Sequence, residues 1–382
     1  MGQIKKYKVG ELVVNFDRKR KPLSGRQREK MKGVYPYYGA ACIFDYINDY
    51  IFDGEYILLG EDGTVINSDG TPVLQRISGK TWVNNHAHVL RNSEIIDFDY
   101  LYYVLKNTNF SGAVTGAVQP KISQANMNAV EVEIYEDKKD QKKVSGILKS
   151  LDEKIKLNNK INDNLLQQAQ AIYDEICKDC EPIKLESLIS VIETGSRPKG
   201  GAESEGIPSI GAEKIERFGT YDFSGEKYIS EEFFSKLKRG IVLSGDVLLY
   251  KDGAYTGKSS MALDGFPHEK CAVNEHVFIL RTRDNFAQYF LYFTLSSPSI
   301  REKIYTLACG KAAQQGLNQQ ELFSVEAPIP PDDVLQDFDK QVDPLMHAIA
   351  LNALENLKLS NLRDSLLPKL MSGEIDVDSL DL

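Results

Sequence analysis

The 382-residue sequence has little of several things. It holds five cysteines and one tryptophan. A sparse, odd cysteine set in a chain this long excludes a disulfide-framed scaffold. Cys177 and Cys180 form a lone C-x-x-C, but a structural zinc needs four ligands, and neither a second pair nor a neighbouring histidine pair completes them. No metal site is expected. No apolar run approaches the roughly 18 residues of a membrane span. The opening MGQIKKYKVGELVVNF lacks the apolar core and cleavage site of a signal peptide, so the cytoplasm is the expected compartment. Positive charge is also short, with 46 Lys and Arg against 55 Asp and Glu and a net charge of −9. That excludes a uniformly basic coat for nucleic acid, though not a local basic surface.

Catalytic fingerprints are missing too. GAYTGKSS at 253–260 places only three residues between Gly253 and Gly257, where a phosphate-binding loop requires four. There is no glycine-rich cofactor motif and no Asn-Pro-Pro-aromatic methylation motif. LDEKIK at 151–156 pairs acids with lysines, but it lies in a helical pattern where a solvated face accounts for it. No catalytic residue is expected in this chain.

What the sequence does have is a repeat. ILLGEDG at 57–63 returns as VLLYKDG at 247–253, and the register holds over a long block. Leu58, Leu59, Asp62 and Gly63 fall on Leu248, Leu249, Asp252 and Gly253. Val83, Asn84, His86, Leu90 and Arg91 fall on Val273, Asn274, His276, Leu280 and Arg281; Leu101, Tyr102 and Leu105 fall on Leu291, Tyr292 and Leu295. The period is far too long for a solenoid, so the pattern means domain duplication. Both copies mix short alternating runs, Asp-Gly and Ser-Gly turns and one helical stretch, which predicts an α+β class.

After each copy the apolar period changes from two to 3.5. One seam runs Val144, Leu148, Leu151, Ile155, then Leu165, Ala169, Ile172 and Ile176. The other runs Phe338, Val342, Leu345, Ile349, then Leu359, Leu366 and Leu370. The spacing predicts two long coiled-coil helices, each on the order of 50 Å at 1.5 Å per residue. Asn158 and Asn162 interrupt the first seam, and Asn352 and Asn356 the second. In the order domain, helix, domain, helix, the two helices can pack along their lengths only if antiparallel. Asn158 and Asn162 then face Asn356 and Asn352 across a pseudo-two-fold axis and fix the register. The alternative is a pair of solvated helices with the asparagines outside. Leu157, Ile161, Leu166, Leu354 and Leu362 lie off the seams and suggest helices that need partners.

These features resemble the specificity subunit of type I restriction-modification systems, over essentially the whole chain. TGSRPKGGAESEGIPSIGAEKI at 194–215 looks like the opening of a target recognition domain, and GLNQQELFSVEAPIPP at 316–331 like its closing strand. SLLPKLMSGEI at 365–375 looks like the family's C-terminal helix ending. KRKPLSGRQREKMKGVYPYYGA and WVNNHAHVL are similar to one recurring type of recognition domain. The resemblance implies target recognition domain 1 at 1–138, a central spacer helix at 139–180, target recognition domain 2 at 181–331, a C-terminal spacer helix at 332–374 and a tail at 375–382. It further implies that each domain reads one half of a split, asymmetric site on double-stranded DNA. The helices would set the gap and dock two modification (adenine methyltransferase) subunits, with restriction (motor-nuclease) subunits completing the complex. S-adenosylmethionine, ATP and Mg2+ would belong to those partners and no cofactor to this chain. The competing expectation is a non-catalytic coiled-coil scaffold with two protein-binding domains.

Duplication also sorts the residues. What both copies share serves fold and phosphate positioning, whereas base readout must differ between unlike half-sites. Asp62, Gly63, Asp252 and Gly253 are therefore expected in a shared turn, and Asn84, His86, Asn274 and His276 in strand-like runs, the histidines as satisfied core groups. The DNA-binding candidates lie in the unmatched loops. Residues 18–32, RKRKPLSGRQREKMK, carry eight Lys or Arg and one Glu. From this half come Lys19, Arg20, Lys21, Arg26, Arg28 and Lys30, with Glu61, Thr64 and Asn67 near the turn. The other half offers Arg197, Lys199, Lys251, Tyr255, Thr256 and Lys258. Arginine and lysine bind phosphate or the guanine O6 and N7 edge, and tyrosine stacks or donates.

Overall fold

The computed structural model describes residues 2–116, 118–283, 287–310 and 316–377. The last residues of the tail at 375–382 lie outside the described residues. The chain divides into two compact units, Met1–Glu153 with Leu359–Leu382, and Lys154–Lys358. The division cuts through both long helices, Lys138–Cys177 and Asp332–Ser372, so each unit contains a part of each.

In the first unit a four-stranded antiparallel sheet runs Val13–Asn15, Ala87–Asn92, Tyr56–Gly60, Leu74–Ile77. The central run YILLG is buried at every position, because period two sends its side chains into two different cores. Ile57 and Leu59 join Tyr100, Leu101 and Leu105 of the helix Phe98–Lys106. Leu58 points the other way, with Val83 and Val89. Beyond it a second sheet runs Ile43–Ile47, Lys32–Tyr38, Lys80–Val83, Phe52–Asp53, with Lys32–Tyr38 parallel to Lys80–Val83. The two ends of the segment close on each other, Ile4–Lys8 pairing with Glu131–Tyr135.

The second unit repeats this plan. Its sheet runs Ile189–Thr194, Val277–Thr282, Val247–Tyr250, Ser259–Met261. Val247 and Leu249 face the helix Gln288–Ser296, and Leu248 faces the opposite core with Val273 and Ile279. Even the register is kept, since Leu58 pairs with Val89 and Leu248 with Ile279. Ile207–Ile210 lies parallel to Ala272–Val273, as Lys32–Tyr38 does to Lys80–Val83. Pro182–Lys184 closes on Glu326–Pro328.

The long helices are buried over a wider face than a coiled-coil seam, because the domains pack on them as well. In the first unit Val144, Leu148, Leu367 and Leu370 join the core around Tyr100 and Tyr103. In the second, Leu166, Ala169 and Tyr173 meet Phe338, Val342, Met346 and Ile349. Leu166, expected off the seam, is thus a core residue, and Leu354 packs against the same core. Leu157, Ile161 and Leu362 are exposed. Within the second unit the helices run antiparallel. Asn158 Nδ2 donates to Asn356 Oδ1 at 2.9 Å, and Asn352 Nδ2 to Asn162 Oδ1 at 2.8 Å. Asn158 and Asn162 are both buried, so a one-turn slip would leave polar groups unpaired in an apolar seam. Among the described residues no helix is long and apolar enough to cross a membrane.

Candidate nucleic-acid interface

The basic segment of the first unit is held at defined points. Trp82 Nε1 donates to the Lys21 carbonyl at 2.7 Å, and the Leu23 N–H donates to the Tyr37 hydroxyl at 2.9 Å. Ser24 and Gln27 then form a capping box that starts the short helix Gly25–Lys30. Arg28 is tied down, bonding the Leu23 carbonyl at 2.7 Å and Asp45 at 3.3 Å, over the Tyr37 ring. Lys19, Lys21, Arg26 and Lys30 are left exposed on the outer side.

Arg20 and Glu61 occupy a different place from these cations. Arg20 Nη1 bonds Glu61 at 2.6 Å and the Ala87 carbonyl at 2.6 Å, and Lys121 approaches Glu61 at 3.2 Å. Buried His88 adds Nδ1 to Asp17 at 2.6 Å and Nε2 to the Ile122 carbonyl at 2.8 Å. Burial opposes the charge of Asp17, but bonds from His88, the Val89 N–H and Asn15 hold its carboxyl below the usual range. Glu61 is likewise pushed up by burial and pulled below its ordinary value by Arg20, His88 and Lys121. Asp17, Glu61 and His88 lie close enough to hold a metal. Two cations already neutralise the carboxylates, however, and both ring nitrogens of His88 face oxygen acceptors, so no imidazole lone pair is free for an ion. The network locks the base of the basic segment to the sheet.

The residues shared by both copies build one motif twice. His86 Nδ1 contacts Asp62, and Asn84 Oδ1 accepts from the His86 N–H at 2.8 Å. His276 Nδ1 lies 3.3 Å from Asp252, and Asn274 Oδ1 accepts from the His276 N–H at 2.9 Å. These are turns rather than strand positions, and the histidines are half-exposed, with side chains 46% and 42% accessible. The V-N-N-H-A-H-V alternation suggested a strand, but the Asn caps a turn that ends one strand before the next begins. Buried in the strand is His88, two residues on. Gly63 and Gly253 take φ of 84° and 130°, the left-handed space the Asp-Gly turns require.

Around this shared staple the loops differ. In the first unit Thr64 is exposed and Asn67 Nδ2 bonds Thr71 at 3.0 Å, shaping a polar turn. In the second, Lys199 and Tyr255 are exposed and Arg197 pairs with Glu275 at 2.8 Å. Lys251 is held by Asp252 at 2.9 Å over the Phe278 ring, and Lys258 by Glu216 at 2.5 Å over Tyr255. Thr256 is buried, its hydroxyl donating to the Gly253 carbonyl at 2.8 Å. Sequence reasoning passed over the edge strand Ile43–Ile47, where Phe44 is 61% and Tyr46 50% exposed beside Lys32. The alternation of Phe44 and Tyr46 about Asp45 was the available signal.

Residues 1–167 match the family model described as the type I restriction modification DNA specificity domain. A candidate type I restriction enzyme specificity subunit of Haemophilus influenzae is 28% identical over 258 residues, covering 61% of this chain and 62% of that protein. The match thus spans less than two thirds of that relative. The type I restriction enzyme MjaIX specificity subunit of Methanocaldococcus jannaschii is 24% identical over 310 residues, 74% of this chain and 70% of that one. The crystal structure of a type I restriction-modification S subunit from M. genitalium shares the fold, with a TM-score of 0.59 at 14% identity over 97% of this chain and 96% of that one.

Proposed function

Because residues 1–167 match the type I restriction modification DNA specificity domain, we propose that the chain is a specificity subunit of this family, the non-catalytic subunit that reads a bipartite, asymmetric DNA site. One observation carries the reading: the same sheet and the same Asp-His-Asn staple are built twice, and the loops they carry differ in chemistry. A shared scaffold with unlike polar loops suits two half-sites of unlike sequence. Recognition domains 1–138 and 181–331 each take one half-site. The helical segments 139–180 and 332–374, locked by the asparagine pairs, set the gap in a pseudo-two-fold arrangement. Lys19, Lys21, Arg26 and Lys30 in the first domain and Lys199 and Tyr255 in the second are free to meet DNA. Arg20, Glu61 and Thr256 hold the loops from behind.

Docking of partners follows from the same elements. Leu157 and Leu351 are 52% and 61% exposed on the long helices, an apolar surface suited to two modification subunits. S-adenosylmethionine, ATP and Mg2+ then act in the modification and restriction subunits, and the assembly works in the cytoplasm. The test is coexpression with the neighbouring methyltransferase and single-molecule mapping of methylated adenines. The expected result is a split motif with a fixed gap, one half of which changes when residues 1–138 are exchanged. A soluble complex that methylates nothing would leave a protein-binding scaffold as the better reading.

A further inference from the structure

The second unit contains a cavity of about 330 Å³ that none of the roles above uses. Leu166 and Phe293 line its apolar side, while Arg217, Lys258 and Arg301 supply three cations against one carboxylate, Glu216. Ser259 and Ser296 meet at 2.9 Å on its wall. Two of the cations are positioned by partners, Lys258 by Glu216 and Arg217 by Asp163. Arg301 makes no ion pair among the described residues, so its guanidinium fork is unspent.

Three separate segments bring the charges together. Gly257, at φ 96°, lets the 253–258 turn press on the helix Pro298–Cys309, where an added Cβ would stand 3.2 Å from the Arg301 carbonyl oxygen. That approach puts Lys258 and Arg301 on one rim. Among the described residues the first unit has no equivalent cavity rim. Its chain passes from Phe98–Lys106 into a single turn, Ser111–Ala113, in place of the twelve-residue helix, and Ser68 stands at the position of Lys258.

Glu216 and Asp163 offset two of the three cations, and the remaining positive charge, on Arg301, repels a cation, whereas its guanidinium fork and the two serine hydroxyls match phosphate oxygens. We propose that this cavity seats a phosphate group, carried either by the backbone of bound DNA or by a free phosphate or mononucleotide. The DNA source rests on the function proposed above; the free source does not.

The test uses the full-length chain and its Arg301→Ala and Arg301→Lys variants, with retained circular dichroism as the control for folding. Arg301 is exposed and unpaired, so both variants should fold. Inorganic phosphate and dAMP are titrated by calorimetry, and duplex DNA binding is followed against salt. If a DNA phosphate sits here, Arg301→Ala lowers the slope of log K against log salt by about 0.9, equally on matched and mismatched sequences. If a free anion sits here, the slope is unchanged and phosphate or dAMP affinity falls about tenfold, the scale of one lost charge-assisted pair. Arg301→Lys should recover part of either loss. No change in either measurement overturns the proposal. So does a variant that only weakens association with a partner protein, because the cavity would then hold an acidic side chain. Wild-type chain that binds no DNA would count against the proposed function, while the phosphate titration would still decide the cavity.

Discussion

The two units start the same helix in two different ways. In the first unit Phe98–Lys106 is capped by its own preceding residue, Asp97, whose Oδ1 accepts from the Asp99 and Tyr100 N–H groups at 3.0 and 3.2 Å. In the second, the equivalent residue is Ala287, with φ 63° and no side-chain cap. The carboxylate comes instead from Asp339 on the second long helix, accepting from the Tyr289 and Phe290 N–H groups at 3.3 and 3.1 Å. A local cap ties a helix to its own loop, whereas a borrowed one ties it to whatever carries the acid. The helix Gln288–Ser296 is therefore fastened to the long helix Asp332–Ser372 by hydrogen bonds as well as by packing. Burial then has a consequence, pushing the Asp339 carboxyl up to about 7, helped by Asp343, against the pull of the backbone N–H groups.

The likeness between the units is best tested in the cores. Leu58→Ala and Leu248→Ala remove equivalent side chains, each fully buried and facing a core distinct from the helix-side core. Each should cost about 2–5 kcal/mol, read by chemical denaturation. A loss confined to one of them would mean that the sheets are not energetic equivalents. The difference in loop chemistry is tested next. Replacing Lys19, Lys21, Arg26 and Lys30 together by alanine should reduce the salt slope of DNA binding by about 0.9 for each phosphate contacted, with little change in melting temperature. An unchanged slope would remove this segment from the interface.

Smaller effects sharpen the comparison. His86→Ala and His276→Ala should each cost about 1 kcal/mol, as expected for a partly exposed hydrogen bond, and the two should agree. A large loss of DNA binding from one alone would make that histidine a reader. The smallest and most specific effect is the pH dependence from Asp339. Its folded pKa lies above its ordinary 3.8, so between about pH 4 and pH 7 the folded chain binds more protons than the unfolded one. Stability contributed by this group falls as pH rises through that window and levels off above it. Melting temperatures of Asp339→Asn across pH 4–8 should show a flatter slope than the parent. An identical slope would assign the dependence elsewhere.

The duplication was legible because the repeated residues are those whose chemistry the fold cannot exchange. Leu58 and Leu248, Asp62 and Asp252, His86 and His276 keep their identity at one offset. The asparagines were legible for the same reason, as polar residues inside an apolar seam. Charge was harder to interpret. Arg20 and Lys21 are neighbours in a basic run, yet the partner of Arg20 is Glu61, 41 residues away, and spacing does not reveal a pairing of that range. The helix faces were legible only in part, because the heptad pattern describes one helix against another, whereas these helices also carry the domains.

By itself the sequence determined a duplicated α+β unit, two long helices and the places where polar residues interrupt them, since periodicity and turn chemistry act over a few residues. Tertiary structure alone decided which cations are free and which are spent, that Asp339 caps a helix 49 residues before it, and that Arg217, Lys258 and Arg301 share one cavity. Those are relations between distant segments, fixed only when burial brings them within reach and strips away the water that would otherwise screen them.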